Sequence, residues 1–470
     1  MVIQFEPSDD PSLSRFSSLR TLVVLHAESD RFVESLCKLK HLRFLHLEST
    51  NISRLPDDID KMKFLEHIGL VDCPNFTGQV PSSILKLGRL RCIWIIGSTK
   101  FIVPKGLGGL TELNMIGSFS VQIQDEWCSL EEVAPLCKLR EIPIYGLAAV
   151  PSGSLAAKAK IRDKLQLRKL GLWCFAPGED VRLDEVTRED CQRVEEVFDQ
   201  LCPPPQLETL AILYYIGLVP PSWLTAAATP VGFNSLTIVH LLGLPFCTQL
   251  PDGLCQLPSL ETLLIDDAPA VKRVGPEFQR KTDSSTAFPS LQLLRMKELP
   301  ECEEWEWDEE AEAADMGMPA LQTLYIGKCK LDRLPAGLTS SKRLALRQLY
   351  LFDLSRITAL ENFPSVVTLV VIRCPSLKTI GGFAKLQIAS IESCPALEEL
   401  EAGSALHTVE LEDPAMETLP EYLRSLKPRI LEVLDCHQKL RDLLSCSDDP
   451  STDYLAEMDK IKGVGKLVLR

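Results

Sequence analysis

The sequence predicts an α/β solenoid in which every coil gives one short parallel strand and closes through irregular or helical chain. Three observations predict it. Between Val366 and Met416 one pattern comes round three times at an interval of about 20 residues. Its turns are Val366, Leu369, Val371, Cys374 and Leu377; Leu386, Ala389, Ile391, Cys394 and Leu397; Leu406, Val409, Leu411, Pro414 and Met416. Both cysteines open a Cys-Pro-x-Leu turn. The same spacing can be laid along nearly the whole chain, giving about 18 coils.

The spacing L-x-x-L-x-L-x-x-C/N-x(x)-L is that of a leucine-rich repeat. The second and third apolar positions, two apart, share one face of a strand and point into the coil. The first seals the coil beneath them, and the Cys or Asn binds backbone groups at the turn that would otherwise be buried unpaired. One coil cannot bury its own apolar row, so stacking supplies the core. The predicted form is a horseshoe with strands on the concave face and an irregular or helical convex side.

Taken in order, residues 1–173 form regular N-terminal coils: Leu19, Leu22, Val24; Leu42, Leu45, Leu47; Leu65, Ile68, Leu70; Leu90, Ile93, Ile95; Leu110, Leu113, Met115; Leu139, Ile142, Ile144; Leu167, Leu170, Leu172. Leu55-Pro56-Asp57-Asp58-Ile59 and Val80-Pro81-Ser82-Ser83-Ile84 read as returns in which proline starts the next turn. Residues 174–206 carry a helical insertion, because Cys191, Val194, Val197, Phe198 and Leu201 recur at helical spacing and Pro203-Pro204-Pro205 stops it. Middle coils fill 207–300, and an acidic insertion follows at 301–319. Within it, Trp305 and Trp307 are expected to pack back on the repeat. C-terminal coils run over 320–436 and a cap over 437–470, with a polar loop from Ser445 to Asp453 and a last strand through Val464, Leu467 and Leu469.

Composition narrows the function classes. Of 470 residues, 45% are hydrophobic and 24% charged, as in ordinary folded protein. The net charge of -15 opposes binding to nucleic acid or an anionic membrane. No apolar run reaches the length of a membrane span, and the start lacks the basic and apolar regions of a secretory signal, which places the chain in the cytoplasm. The sixteen cysteines hold no Cys-x-x-Cys pair, and Cys73, Cys329, Cys374, Cys394 and Cys436 fall at repeat turns. They read as packing thiols and not as a disulfide framework or zinc site. No metalloprotease, nucleophile-elbow or phosphate-loop motif occurs. Gly463-Val464-Gly465-Lys466 is a turn before a strand, since Leu467 stands where a magnesium-binding hydroxyl would be needed. Neither catalysis nor a cofactor is expected.

What remains is a surface. Residues between and just after the inward strand positions face outward, one short row per coil, and repeat proteins bind through such extended faces. These positions give a candidate protein-binding face of Trp94, Tyr145, Trp173, His240, Asp266, Arg295, Lys297, Tyr325, Tyr350 and Phe352. The rows from Arg295 to Phe352 are the richest, because Arg and Tyr are favoured at interfaces. Packing of exposed strand residues against each other accounts for the same rows equally well.

Several phrases carry a family likeness: "LCKLKHLRFLHLESTNISRLPDDIDKMKFLEHIGLVDC" (Leu36 to Cys73), "PPPQLETLAILYYIGLVPPSWL" (Pro203 to Leu224), "LPSLETLLIDDAPAVKRVGPEF" (Leu257 to Phe278), "FPSLQLLRMKELPECEEWEW" (Phe288 to Trp307) and "CPSLKTI" (Cys374 to Ile380). Through them the chain resembles the leucine-rich-repeat region of plant intracellular nucleotide-binding immune receptors, particularly the coiled-coil class of grasses. The resemblance implies recognition of a pathogen or pest effector, or of a modified host protein, and contact with a nucleotide-binding signalling module in cis or in trans. The sequence has neither the coiled coil nor the nucleotide-binding domain of that family. It therefore reads as a fragment of a longer receptor or as a truncated relative that acts as an adaptor or decoy.

Two other readings compete. Asn75-Phe76-Thr77-Gly78-Gln79-Val80-Pro81 resembles the turn of plant cell-surface repeat receptors, and Asn51 and Asn75 stand in glycosylation sequons. A stand-alone scaffold on the same solenoid is the third.

Overall fold

The computed structural model describes residues 2–4, 16–27, 32–97, 102–122, 127–176, 178, 181–225, 232–275, 286–306, 317–335, 337–339, 345–445 and 452–470. The chain divides into two compact units, residues 1–223 with 230–242 and residues 224–229 with 243–470.

Both units are built mainly from five-residue parallel strands whose second and fourth residues are buried, as the two-apart leucines require; the last strand, Lys466–Leu469, is only half-buried. In the first unit the strands Thr21–Leu25, Phe44–Glu48, His67–Val71 and Cys92–Ile96 pair in strict register, so that Leu22, Leu45, Ile68 and Ile93 form one continuous row. Glu141–Tyr145, Lys169–Trp173, Thr209–Leu213 and Ile238–Leu242 continue the pattern. In the second unit Thr262–Asp266, Leu293–Lys297, Thr323–Gly327, Gln348–Phe352, Thr368–Ile372, Ile388–Glu392, Thr408–Asp413, Ile430–Cys436 and Lys466–Leu469 pair in sequence. The row positions Leu22, Leu45, Leu170, Leu263, Leu349 and Leu369 are fully buried. Each such side chain contributes roughly 1.5–3 kcal/mol. This is the α/β leucine-rich-repeat solenoid expected from the spacing.

The residue after most strands adopts a left-handed conformation. His26, Ser49, Asp72, Tyr214, Asp267, Glu298, Lys328, Asp353, Arg373 and Ser393 have φ of 50–60°, and Gly97, Gly146 and Gly243 hold the same place in their coils. The reason lies in the ladder. Turned this way, the amide of Ser49 donates to the Val71 carbonyl at 2.9 Å, that of Lys328 to Phe352 at 2.8 Å and that of Ser393 to Glu412 at 2.8 Å. One more interstrand bond offsets a conformation that costs about 1–2 kcal/mol in a residue with a side chain.

The other side of each coil differs between the units. Proline-led returns of the first unit are 3-10 turns at Ile59–Lys61 and Ser82–Lys86, with Ile59 and Ile84 buried beneath them. The predicted insertion contains a helix, Arg188–Asp199, started by a capping box in which Thr187 and Asp190 bind each other's backbone amides. It buries Cys191, Val194, Val197 and Phe198. In the second unit the coils between Gln348 and Thr408 are too short for a helix, and there the return side is extended: Ala359–Leu360, Thr379–Phe383 and Glu399–Ala402 form a second parallel sheet.

Three details depart from the expected pattern. In the coil of Leu110 and Leu113 the row position opposite Ile93 is taken by Ile116 and not by Leu113, so the coil is shifted by three residues and Met115, opposite Cys92, faces outward. Like a slip of one, an odd slip of three exchanges the faces of a strand. Pro414 is exposed and Met416 half-buried, because the strand of that coil runs on to Asp413. The cap is more helical than expected, with helices Gln438–Ser445 and Thr452–Lys460 before the strand Lys466–Leu469. Most of the expected polar loop lies outside the described residues. Trp305 packs back as expected, in a short strand paired to Arg273–Val274 and 8% exposed, while Trp307 lies outside the described residues.

The described cysteines are free thiols, and most are buried. At the repeat turns they bind backbone as the pattern demands: Cys73 Sγ donates to the Val71 carbonyl at 3.5 Å and Cys394 Sγ to the Glu392 carbonyl at 3.3 Å. Burial pushes the Cys302 thiol up to about 11, so it stays protonated at neutral pH.

Candidate protein-recognition face

The outward positions of each strand fall into a middle row and an edge row, set by the same register that aligns the core. In the second unit Leu264, Arg295, Tyr325, Tyr350 and Val370 lie side by side in the middle row. Asp266, Lys297, Gly327, Phe352 and Ile372 form the edge row. Six of the ten sequence-predicted residues therefore meet in one patch.

The patch is internally ordered. Tyr325 and Tyr350 stack with ring centroids 4.2 Å apart and planes within 8°. Phe352 lies parallel to Tyr325 within 3°, at 6.5 Å. The Lys297 ammonium stands 5.9 Å from the centre of the Phe352 ring, a cation–π contact worth about 0.5–1 kcal/mol where exposed. Gly327 lies between them: a Cβ there would sit 3.2 Å from both Lys297 Cγ and Phe352 Cβ. Arg295 donates through Nε to Asp266 Oδ1 at 3.0 Å and through Nη2 to Asp266 Oδ2, a fork that fixes the guanidinium plane. Burial, with Tyr325 beside it, pushes the Tyr350 phenol up, so it is a neutral donor at physiological pH. Beyond the patch Arg373 holds Asp353 at 2.6 Å and Glu392 at 3.3 Å.

The other predicted residues belong to the first unit. Tyr145 and Trp173 pack at 4.7 Å, and Tyr214 extends the cluster at 6.1 Å from Trp173. Burial raises the Tyr145 pKa. Trp94 stands apart and is 43% exposed, with Ile96 beside it equally so. His240 pairs in register with Ala211. Tyr214 was not predicted. It occupies the left-handed position after its strand, one place beyond the outward rows, and only the recurrence of that conformation identifies such a residue as displayed. Gly327 was also missed; its signal is a small residue flanked in register by two large outward ones.

Among the described residues no group of three His, Cys, Asp or Glu side chains is gathered to hold a metal ion. No described helix is long and apolar enough to cross a membrane. What the face offers is contact: stacked rings, one cation over a ring and fixed hydrogen-bond donors, the composition of interface anchors.

The model of a family described as a leucine-rich repeat region matches residues 1–324. Among curated proteins, the putative disease resistance RPP13-like protein 1 of Arabidopsis thaliana is 27% identical over 440 residues, covering 88% of this chain and 40% of that protein. The putative disease resistance protein At3g14460 of the same plant is 31% identical over 342 residues, 72% of this chain and 23% of that protein. The chain spans less than half the length of these relatives. Among solved structures, the complex PEPR1–AtPEP1 covers 100% of this chain and 71% of its own with a TM-score of 0.45 and 14% identity.

Proposed function

The chain belongs to the leucine-rich repeat region family, and from that premise we propose that it is the recognition module of a plant defence protein. It senses a pathogen or pest effector, or a host protein altered by one, through the strand face of its second unit. The same solenoid contacts a nucleotide-binding signalling module, in cis or in trans, in the cytoplasm. Kinship with disease resistance proteins supports the setting. The observation that carries the site is the ordered row Arg295–Tyr325–Tyr350 with Lys297 and Phe352 beside it. Rings already stacked in the free protein lose little freedom on binding, which favours affinity.

Ligand engagement changes the contact with the signalling module only if the two states of the receptor bind the ligand with different affinity. The test is a quantitative comparison of proteins bound in challenged leaf extract by the wild-type chain and by a variant with alanine at Arg295, Lys297, Tyr325, Tyr350 and Phe352. A partner lost only with the variant, at unchanged far-UV dichroism, is the expected result. Identical bound sets would remove this face from consideration. An antibody against the chain, used on native tissue, reads whether the module is part of a larger polypeptide: the receptor reading expects a band well above 52.4 kDa.

A further inference from the structure

The strand face of the second unit changes charge along its length. Toward one end Arg295 holds Asp266 in its fork, and beside that pair Lys297 stands over the Phe352 ring, in no ion pair among the described residues, as the uncompensated charge of that end. Past the rings come the neutral outward residues Val370, Ile372 and Ser390, in register. After them the rows turn acidic: Glu392 pairs with Glu412, and Glu410 with Glu432. Carboxylates side by side on adjacent strands repel each other. Arg373 balances Glu392 at 3.3 Å and Arg470 balances Glu432 at 3.4 Å. Among the described residues no cation is paired with Glu410 or Glu412. A folded surface that keeps such repulsion between adjacent strands gives up stability that a cationic ligand would restore.

Resting on the reading of this face as the recognition surface, we propose that its occupant is an extended segment of a protein partner whose charge changes sign once. An acidic residue of the segment meets Lys297. Apolar residues cross the rings of Tyr325, Tyr350 and Phe352 and the aliphatic Val370 and Ile372. Two or more Lys or Arg side chains meet Glu410 and Glu412. Five strand spacings separate the Lys297 and Glu410 rows, about 24 Å, which an extended segment crosses in about seven residues. Opposite charges at the two ends fix its direction and register, which is the main contribution of charge at an interface.

The probe is a labelled, extended peptide of about nine residues with acidic residues at one end, apolar residues between and basic residues at the other. Its controls are a peptide of the same composition with alternating charges and a uniformly basic one. Read by fluorescence anisotropy, the block peptide is expected to bind about tenfold more tightly than either control, and to lose that advantage in about 0.5 M salt. Lys297→Glu alone, or Glu410→Lys with Glu412→Lys, leaves the unpaired charges at the two ends with one sign and weakens the block peptide about tenfold. The triple variant inverts the face, so the same peptide binds turned end for end and affinity returns to within about threefold of wild type. A lost fold cannot produce that rescue.

Equal binding of block and alternating peptides, equal binding of the basic peptide, or no recovery in the triple variant would overturn the proposal. The recognition reading fails separately, when alanine at Tyr325, Tyr350 and Phe352 leaves the natural partner bound.

Discussion

The two units use one backbone device to display different chemistry. In the first, the outward rows are mostly small or aliphatic and nearly uncharged, with Trp94 apart and Trp173 touching both Tyr145 and, just beyond the rows, Tyr214. In the second they run from Asp266, Arg295 and Lys297 across stacked rings to Glu410 and Glu412. Strand pairing is parallel and in register in both, and the buried rows are equally apolar. The difference therefore arises wholly at outward positions, which the core leaves free to vary. The units also differ behind the strands. The first has room for the helix Arg188–Asp199, pinned where Trp223 Nε1 donates to the Phe198 carbonyl at 2.9 Å and the Leu218 amide to Glu195 at 2.7 Å. The second closes its short coils with a second sheet.

The largest effect that tests this comparison is burial of a charge in one unit only. Leu369→Asp should destabilise its coil by more than about 4 kcal/mol and carry the neighbouring coils with it, because each coil packs on the next. Hydrogen exchange should show lost protection across Gln348–Glu392 with Phe44–Ile96 retained. Uniform loss through the chain would mean the two units do not behave separately.

Next in size is a change confined to the helical side of the first unit. A Cβ at Gly153 would lie 2.8 Å from the Glu196 carbonyl oxygen, so Gly153→Val must push the helix Arg188–Asp199 away from its neighbour. A loss of about 1–3 kcal/mol in denaturant unfolding is expected. No change would show that the helix seat is loose.

A smaller effect tests the left-handed position shared by both units. Ser393→Gly should stabilise by about 0.5–1 kcal/mol and Gly243→Ala should destabilise by about 1 kcal/mol. The same sign for both would refute conformational strain at that site.

The smallest effect is electrostatic. The Arg373 guanidinium holds the Asp353 carboxyl below the usual carboxylate range. Its contribution to stability is thus complete above the ordinary carboxylate pKa and is lost as pH falls through the lowered value. Carbon-detected titration should find Asp353 titrating below a free aspartate in wild type and closer to it in Arg373→Gln. Coincident curves would contradict the pairing.

How much of this was legible in the sequence follows from which constraints leave a residue-type signature. The inward rows were readable because burial demands Leu, Ile or Val at fixed spacing, and Leu349, Leu351, Leu369 and Val371 lie where the spacing puts them. The register failed once, where Leu107, Leu110, Leu113 and Ile116 recur every three residues and the row position falls on Ile116 instead of Leu113. The left-handed turns were hidden because Ser, Asp, Glu, Lys, Arg, His and Tyr occupy them as well as glycine, the added ladder bond sufficing to hold any of them. The cap helices were missed for want of a regular ruler beyond Cys436. Buried Glu457 and Lys460 secure that cap, the Lys460 ammonium donating to the Leu419 carbonyl at 2.8 Å and to Glu457 at 3.0 Å. On the candidate face, the rows were readable from spacing, whereas the stacking of Tyr325 on Tyr350 and the opening made by Gly327 depend on adjacency across coils.

Hydroxyl-radical footprinting of the chain with and without its captured partner tests the central claim most directly, because aromatic side chains report their own solvent contact. Protection of Tyr325, Tyr350 and Phe352 on binding, with little change in the helix Arg188–Asp199, is the predicted result. Unchanged oxidation of those three rings beside protection elsewhere would place recognition on another surface and contradict the account.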